Sequence, residues 1–596
     1  MGSLMKEFIS YGKIIYKKNQ KFMSWIFLAV IIMYPFLHVN VGIDVTDTGY
    51  SLGSFLFEPQ MGEEWVLFAT YLANLTGSLF AMLPFGNTML GMNIYTSAIV
   101  SLSGAMAYIF LKKKIPTWII FLGIFMAESL CWCPTIILYN YLTYFLFTLL
   151  VIFLYMGLTQ KRSYLFWAGI VLGLNVMVRF PNLAQAALIL AVWYYGWLKK
   201  DRFQLVLQNT LLCIGGFITG LAVVLAEISI QYGLDAYISM ITHLFNMSSS
   251  SGDGHSLGSM LFAIVDAYFV AFRWLLYPLA LTIAGLFAFR MVRNHRILIK
   301  TGSVLYFIGM LLLLRVLYGR GMFNLKYYTY ESMFQWVAIF LILSIVTMLM
   351  VMTQKEHQAE EKMLVFIILL VILVTPLGSD NYLYPIMNHL FLIAPISLYW
   401  MFQKGKNAAL PVKMMLAMIL AVTLIQSIAF GYTFVFRDGT QGEALTTEMT
   451  NNRVLKGMKT SEQKAAMLSS VTKYVYDNDL TGNEVILYGN IPAMSCFLEM
   501  PAALTTSWPD LATYRVESMK AELEQLKKED EMPVIMLSAG VAAWMSEDLE
   551  EMTKLEITPE MYQNDDKVEL IRQFIMEQQY SEVYANDMFV IYTKNN

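Results

Sequence analysis

The sequence predicts a polytopic α-helical membrane protein with a small α/β domain at its C-terminal end. Three observations predict it. Of 596 residues, 57% are hydrophobic and only 14% charged, whereas soluble domains carry about a quarter charged residues. The apolar residues gather in runs long enough to cross a bilayer, which takes about 20 residues in a helix. From residue 437 onward the pattern changes to polar sequence in which helical and strand-like stretches alternate.

The elements follow in order. A basic stretch (Lys13, Lys17, Lys18, Lys21) runs into a first span near 22–41. No small-residue cleavage site follows it, so the run reads as a retained helix and not a signal peptide. The next segment, 42–64, holds Asp44, Asp47, Glu58, Glu63 and Glu64 and neither Lys nor Arg. Because cytoplasmic loops are rich in Lys and Arg, the N-terminus is expected inside and this loop outside. Two apolar stretches, 65–83 and 88–111, precede Lys112-Lys113-Lys114. Cytoplasmic lysines there require an odd number of crossings. The first stretch, interrupted by Asn74, Thr76, Gly77 and Ser78, is expected to lie as a helix in the outer interface, and the second to span.

Spans near 116–132 and 136–157, 164–179 and 183–198, 205–232 and 260–290, 298–317 and 332–353, and 363–377 and 384–402 each return to a Lys/Arg cluster. A last span, 412–434, exits. The reading is about thirteen spans, N-terminus in and C-terminus out, in the plasma membrane. Residues 1–436 then form the transmembrane domain and 437–596 an extracytoplasmic α/β domain. Its helices are expected near 461–478, 515–529 and 566–578, its strands at 484–489, 534–537 and 589–592. Cys131, Cys133, Cys213 and Cys496 lack C-x-x-C spacing and read as packing residues. No basic recognition stripe suits nucleic acid.

Ionisable residues inside a bilayer are costly and point to function or pairing. Here they are Glu128, Arg179, Glu227, Asp266, Arg273, Arg315 and Glu331, nearly all in the outer halves of their spans. Their common depth implies a polar cavity open to the outside. The first outer loop, Gly42-Ile-Asp44-Val-Thr-Asp47-Thr-Gly-Tyr50, sets two carboxylates three residues apart, on one face if the turn is helical. A carboxylate there suits a general base or a cation ligand; the blander reading is an ordinary acidic outer loop. Arg179, before Pro181 at the end of a span, suits a phosphate, and so do Arg320 and Lys326 in an outer loop where basic residues are unexpected. Asp380, Asn381 and Tyr382 form a further polar group at an outer span end. The segment 233–258, with His243, Asp253 and His255 among serines and glycines, reads as a flexible lid.

This arrangement resembles the glycosyltransferase C superfamily, which includes protein O-mannosyltransferases and the aminoarabinose transferase of lipid A. The resemblance rests on Asp47-Thr-Gly-Tyr50 as an acidic residue followed shortly by an aromatic, on 65–83 as an interfacial helix, and on Leu487-Tyr-Gly-Asn-Ile-Pro492 with Met500-Pro-Ala502 as a strand–turn pattern of an outer domain. It covers the whole chain in architecture, through short motifs. Family members often show adjacent acidic residues in the first loop, whereas Thr48 follows Asp47 here, so the base is Asp47 or Asp44. The resemblance implies a sugar donor on polyprenyl phosphate and an extracytoplasmic acceptor: glycan, polymer, lipid or protein. The implied reaction is an inverting displacement, with Arg179, Arg320 and Lys326 on the donor phosphate. Glu128, Tyr50, Asp266, Asp380, Asn381 and Tyr382 would line the substrate cavity. The resemblance names no certain cofactor and leaves a divalent metal open. A lipid-linked saccharide flippase or transporter, or a non-catalytic envelope-assembly protein, would also explain the intramembrane charges.

Overall fold

The structure, a computed structural model, describes residues 19–57, 68–249, 257–322, 331–378, 381–440, 442–529, 531–563 and 565–594. Among these, seven helices are long and apolar enough to cross a membrane: Met89–Leu111 (α4), Leu138–Thr159 (α6), Phe203–Gln231 (α9), Gly258–Met291 (within α11, Leu257–Met291), Arg296–Gly319 (α12), Glu331–Thr353 (α13) and Leu410–Thr433 (α17). Shorter apolar helices are Gln20–Met33 (α1), Thr117–Ser129 (α5), Ser163–Val178 (α7) and Ala359–Val374 (α14). Three expected spans are not continuous α-helices: that at 22–41 passes from α1 into a 3-10 turn, Tyr34–Phe36, and then a turn. The stretch at 183–198 begins as 3-10 helix, Phe180–Ile189, and continues as Leu190–Lys199 (α8); the stretch at 384–402 is broken into Tyr384–Met387 (α15) and Ile393–Lys406 (α16). Prolines Pro181 and Pro385 sit in the first turns of these irregular stretches, where a missing N–H does no harm.

The helix pair α7–α9 is packed backbone to backbone. Gly169 and Gly173 on α7 face Gly216 and Gly220 on α9, and a Cβ on any of the four would lie between 2.0 and 2.5 Å from a carbonyl oxygen of the other helix. Small residues at this spacing let two membrane helices approach closely. The pairing holds the end of α7, and with it Arg179, in a fixed place.

Between the first two expected spans the chain forms Asp47–Leu56 (α2) and Tyr71–Ala81 (α3). The helix α3 supports α2 from the side: the Ser78 hydroxyl donates to the Phe55 carbonyl at 3.0 Å. The described part of 233–258 is no flexible lid. Leu234–Ser249 is a helix (α10), because Tyr237 and Met240, three residues apart, bury against Phe68, Tyr71, Met177, Val224 and Ile228. Asp253, His255 and the His243 side chain lie outside the described residues.

The C-terminal part forms a four-stranded sheet of β3 (Val485–Tyr488), β4 (Val534–Ser538), β6 (Phe589–Lys594) and β5 (Tyr580–Ala585), in that order. Strands β3 and β4 are parallel, and β6 runs antiparallel to both β4 and β5. Helices Glu462–Asp477 (α18), Ala493–Phe497 (α19), Val516–Leu526 (α20), Ala539–Ser546 (α21), Leu549–Lys554 (α22) and Asp566–Glu577 (α23) accompany it. The two-residue period of a strand sends its side chains to opposite faces. Val485, Leu487, Val534, Met536, Phe589 and Ile591 join the core shared with the membrane helices. Ile486, Tyr488, Ile535, Leu537 and Val590 fill a second core with α20, α21 and α23. Being covered on both faces explains why β3 and β4 read as unbroken apolar runs.

The tail is bound to the loop between α1 and α2. β1 (Thr447–Glu448) pairs with β2 (Lys459–Thr460), and Lys459 also exchanges backbone bonds with the loop: Gly42 N–H to the Lys459 carbonyl at 2.8 Å, Lys459 N–H to Asn40 at 2.7 Å. Asp438 is fully buried and accepts from Ile43 N–H (2.7 Å), the Thr460 hydroxyl (2.8 Å) and the Lys464 ammonium (2.9 Å). Lys464 donates as well to the Ile43 carbonyl at 2.5 Å.

Candidate active site

The chain turns into α2 through Asp44. Its Oδ1 accepts from the Thr46 N–H (2.9 Å) and hydroxyl (2.5 Å), and its Oδ2 from the Thr48 N–H (2.9 Å). Asp44 thus satisfies donors that a helix start leaves without partners, and it is buried. Asp47 is the first residue of α2. The two carboxylates do not share a helical face: Asp44 lies in the turn before the helix, and they line different cavities. The reason is that Asp44 spends both oxygens on the backbone of its own turn.

Asp47 keeps a third of its side chain exposed and meets the Arg437 guanidinium at 2.9 Å. Arg437 also donates to the Thr46 hydroxyl at 2.6 Å and lies 5.3 Å from the Phe436 ring. Its backbone is left-handed, with φ of 50°; the buried Asp438 that follows anchors this conformation. Burial pushes the Asp47 carboxyl above the ordinary aspartate range; Arg437 pulls it back, and Asp44 adds to the rise. On the other side α2 packs on the tail: Gly49 sits so close to Ala493 that a Cβ would lie 1.9 Å from the alanine Cβ. Tyr50 points to this interface, its ring 5.6 Å from Trp508, and does not line the cavity of Asp47.

That cavity, of about 440 Å³, brings Asp47 together with Arg179, Arg437, Asn381, Asn388, Tyr139 and Tyr144. Arg179 ends α7 in extended conformation, donates to the Gly378 carbonyl at 3.1 Å and lies 5.8 Å from the Tyr139 ring. Among the described lining residues Asp47 is the one carboxylate, facing two guanidinium groups.

Arg320 is elsewhere. It belongs to a second cavity, of about 510 Å³, with Asp266, Glu331, Trp274, Gln335 and Tyr382. Tyr384 lines both. Glu128 belongs to a third, of about 170 Å³, with Asp44, Thr48, Asn93 and Thr135; both Glu128 carboxylate oxygens and the Thr48 hydroxyl are buried without a hydrogen-bond partner there. Trp132, Cys133, Phe434 and Phe436 line both the third cavity and that of Asp47. The intramembrane charges therefore do not converge on one cavity. Glu227 is taken up by the Tyr71 hydroxyl, and Arg273 and Arg315 are exposed on α11 and α12. Lys326, Asp380, Glu58, Glu63 and Glu64 lie outside the described residues. Among the described residues no group of three or more His, Cys, Asp and Glu is placed to hold a metal ion.

Arg437 and Asp438 were not singled out in the sequence. The available signal was an arginine directly after the last apolar run, at the end that the charge pattern assigns to the outside, in the turn Phe436-Arg437-Asp438-Gly439.

No family model and no curated protein matches the sequence. Among solved structures the chain is similar to ArnT from Cupriavidus metallidurans in the apo state, with 11% identity and a TM-score of 0.40 over 97% of this chain and 98% of that one. It is similar to the same protein bound to undecaprenyl phosphate, with 11% identity and a TM-score of 0.38 over 95% and 97%. It is also similar to the Archaeoglobus fulgidus oligosaccharyltransferase in complex with Zn and sulfate, with 10% identity and a TM-score of 0.46 over 96% and 73%.

Proposed function

We propose that the chain is a membrane glycosyltransferase that moves a sugar from a polyprenyl-phosphate donor to an extracytoplasmic acceptor, with Asp47 as base. One observation carries the reading: Asp47 and the guanidinium groups of Arg179 and Arg437 line one cavity, while Asp44 is consumed by its own turn. The acceptor oxygen attacks the anomeric carbon, and the bond from that carbon to the phosphate oxygen breaks. The electron pair leaves with the polyprenyl phosphate, and the acceptor proton passes to Asp47. Arg179 and Arg437 meet the charge that grows on the phosphate; guanidinium matches phosphate geometry with paired donors. A phosphate leaves without the protonation that an alkoxide requires. A single carboxylate therefore suffices, and direct displacement inverts the anomeric centre. Arg437 also holds Asp47 ready: the ion pair keeps the carboxyl from rising as far as burial alone would take it.

The test is mass spectrometry of lipids that co-purify with the protein, paired with transfer assays on Asp47→Asn. A polyprenyl-phosphate sugar on the wild type, and the same lipid bound but unreacted on the variant, supports the reading. Full transfer by Asp47→Asn overturns it.

A further inference from the structure

The second cavity differs in chemistry from the first, and we propose that it receives the sugar headgroup of a membrane-anchored acceptor that carries no phosphate. The proposal rests on the glycosyltransferase reading. Asp266 and Glu331 supply carboxylates, Trp274, Tyr382 and Tyr384 supply rings, and the Gln335 carbonyl oxygen is buried without a partner. Sugar hydroxyls donate to carboxylate and amide oxygens, and the C–H faces of a pyranose pack on aromatic rings. A cavity of about 510 Å³ lies in the usual range for a small-molecule pocket.

Charge separates the two cavities. Arg320 donates to the Tyr277 hydroxyl at 2.5 Å and lies 5.4 Å from its ring, so its charge is directed to the edge of the second cavity. Among the described residues that line it, Asp266 and Glu331 outnumber it, and two carboxylates repel a phosphate. In the first cavity two guanidinium groups outnumber one carboxylate. The donor phosphate and an uncharged or amino-bearing acceptor would thus sort themselves by sign. Tyr384 stands between, so an acceptor hydroxyl beside its ring faces the donor side.

The second cavity also borders an apolar exterior. Phe262, Val265 and Phe269, on either side of Asp266 along α11, are exposed, as are Val316 and Tyr318 on α12. A helix pair with this apolar exterior offers a lipid tail a surface next to a polar pocket, which favours an anchored acceptor over a dissolved one.

The experiment uses the full-length protein in nanodiscs and an alkyl maltoside with a diazirine on its sugar as probe. Photolabels should concentrate on 266–274 and 382–384. They should fall at least about fivefold, near 1 kcal/mol of binding, in Asp266→Asn/Glu331→Gln and in Trp274→Ala. Dodecyl maltoside should compete, and dodecyl phosphate and free maltose at equal concentration should not. Labels spread evenly over α11 and α12 overturn the proposal, as does undiminished labelling of both variants. Equal competition by dodecyl phosphate removes the charge argument, and equal competition by maltose removes the membrane anchor. Retained binding of polyprenyl phosphate shows that a variant is folded. Loss of transfer in Asp47→Asn tests the glycosyltransferase reading separately, so either idea can fail without the other.

Discussion

Replacing Lys464 by methionine should loosen the tail from the loop between α1 and α2. Lys464 Nζ lies 2.9 Å from Asp438, whose side chain is fully buried, while the lysine side chain is 14% exposed. Breaking a buried pair from one side costs about 3–5 kcal/mol, because the remaining charge stays without its partner. Asp438 retains the Ile43 N–H and the Thr460 hydroxyl, and some solvent reaches position 464. The lower end, about 3 kcal/mol, is therefore expected, which is roughly two orders of magnitude in the local opening equilibrium. Limited proteolysis across residues 437–460 reads that opening, and tryptophan fluorescence on heating reads the loss of stability. Transfer should fall with it, since Arg437 adjoins the clamp and touches Asp47. Asp438→Asn on top of Lys464→Met removes the orphaned charge and should recover part of the loss. Unchanged proteolysis in the single variant, or a double variant no better than the single one, would refute the reasoning.

Asp44→Ala should destabilise the start of α2 by about 1–2 kcal/mol, as cap removal does, and lower transfer without abolishing it; a folded but inactive Asp44→Ala would move the base to that residue. The pH profile of transfer should show an acid limb above the ordinary aspartate range. Asp47 must be deprotonated to act, so activity is present above its raised pKa and lost as pH falls through it. Arg437→Gln removes the influence that opposes the rise, so the limb should move to higher pH; a limb that stays in place or moves down counts against the pairing. Gly173→Val would place a Cβ 2.5 Å from the Phe217 carbonyl. It should cost about 3 kcal/mol, the upper part of the overpacking range, and weaken donor binding through Arg179; unaltered thermal stability and lipid binding would count against it.

Much of the architecture was legible because it is written locally. The apolar runs that became α4, α6, α9, α11, α12, α13 and α17 exceed the length a bilayer needs. The strands β3, β4 and β6 coincide with short apolar runs between helical stretches. The segment 233–258 reads as a flexible lid from its serines and glycines, whereas its described part Leu234–Ser249 is a helix, because apolar spacing buries Tyr237 and Met240.

The cavity was only half legible. Asp47 and Arg179 stand out in sequence as a carboxylate in an acidic loop and an arginine at a proline-ended span. Nothing local shows that Arg437, 390 residues beyond Asp47, completes their cavity, that Arg320 lies in another, or that Asp44 is a cap. Those facts depend on bonds between residues remote in the chain, such as Ile43 to Asp438 and Thr46 to Arg437, separated by 395 and 391 positions. Hydropathy and charge act on each segment in its own surroundings, so the sequence by itself determined which segments are long and apolar enough to cross a membrane and that Asp44 and Asp47 stand in the polar loop after the first of them. Which charges share a cavity is settled by how the segments pack, and only the tertiary structure decided that.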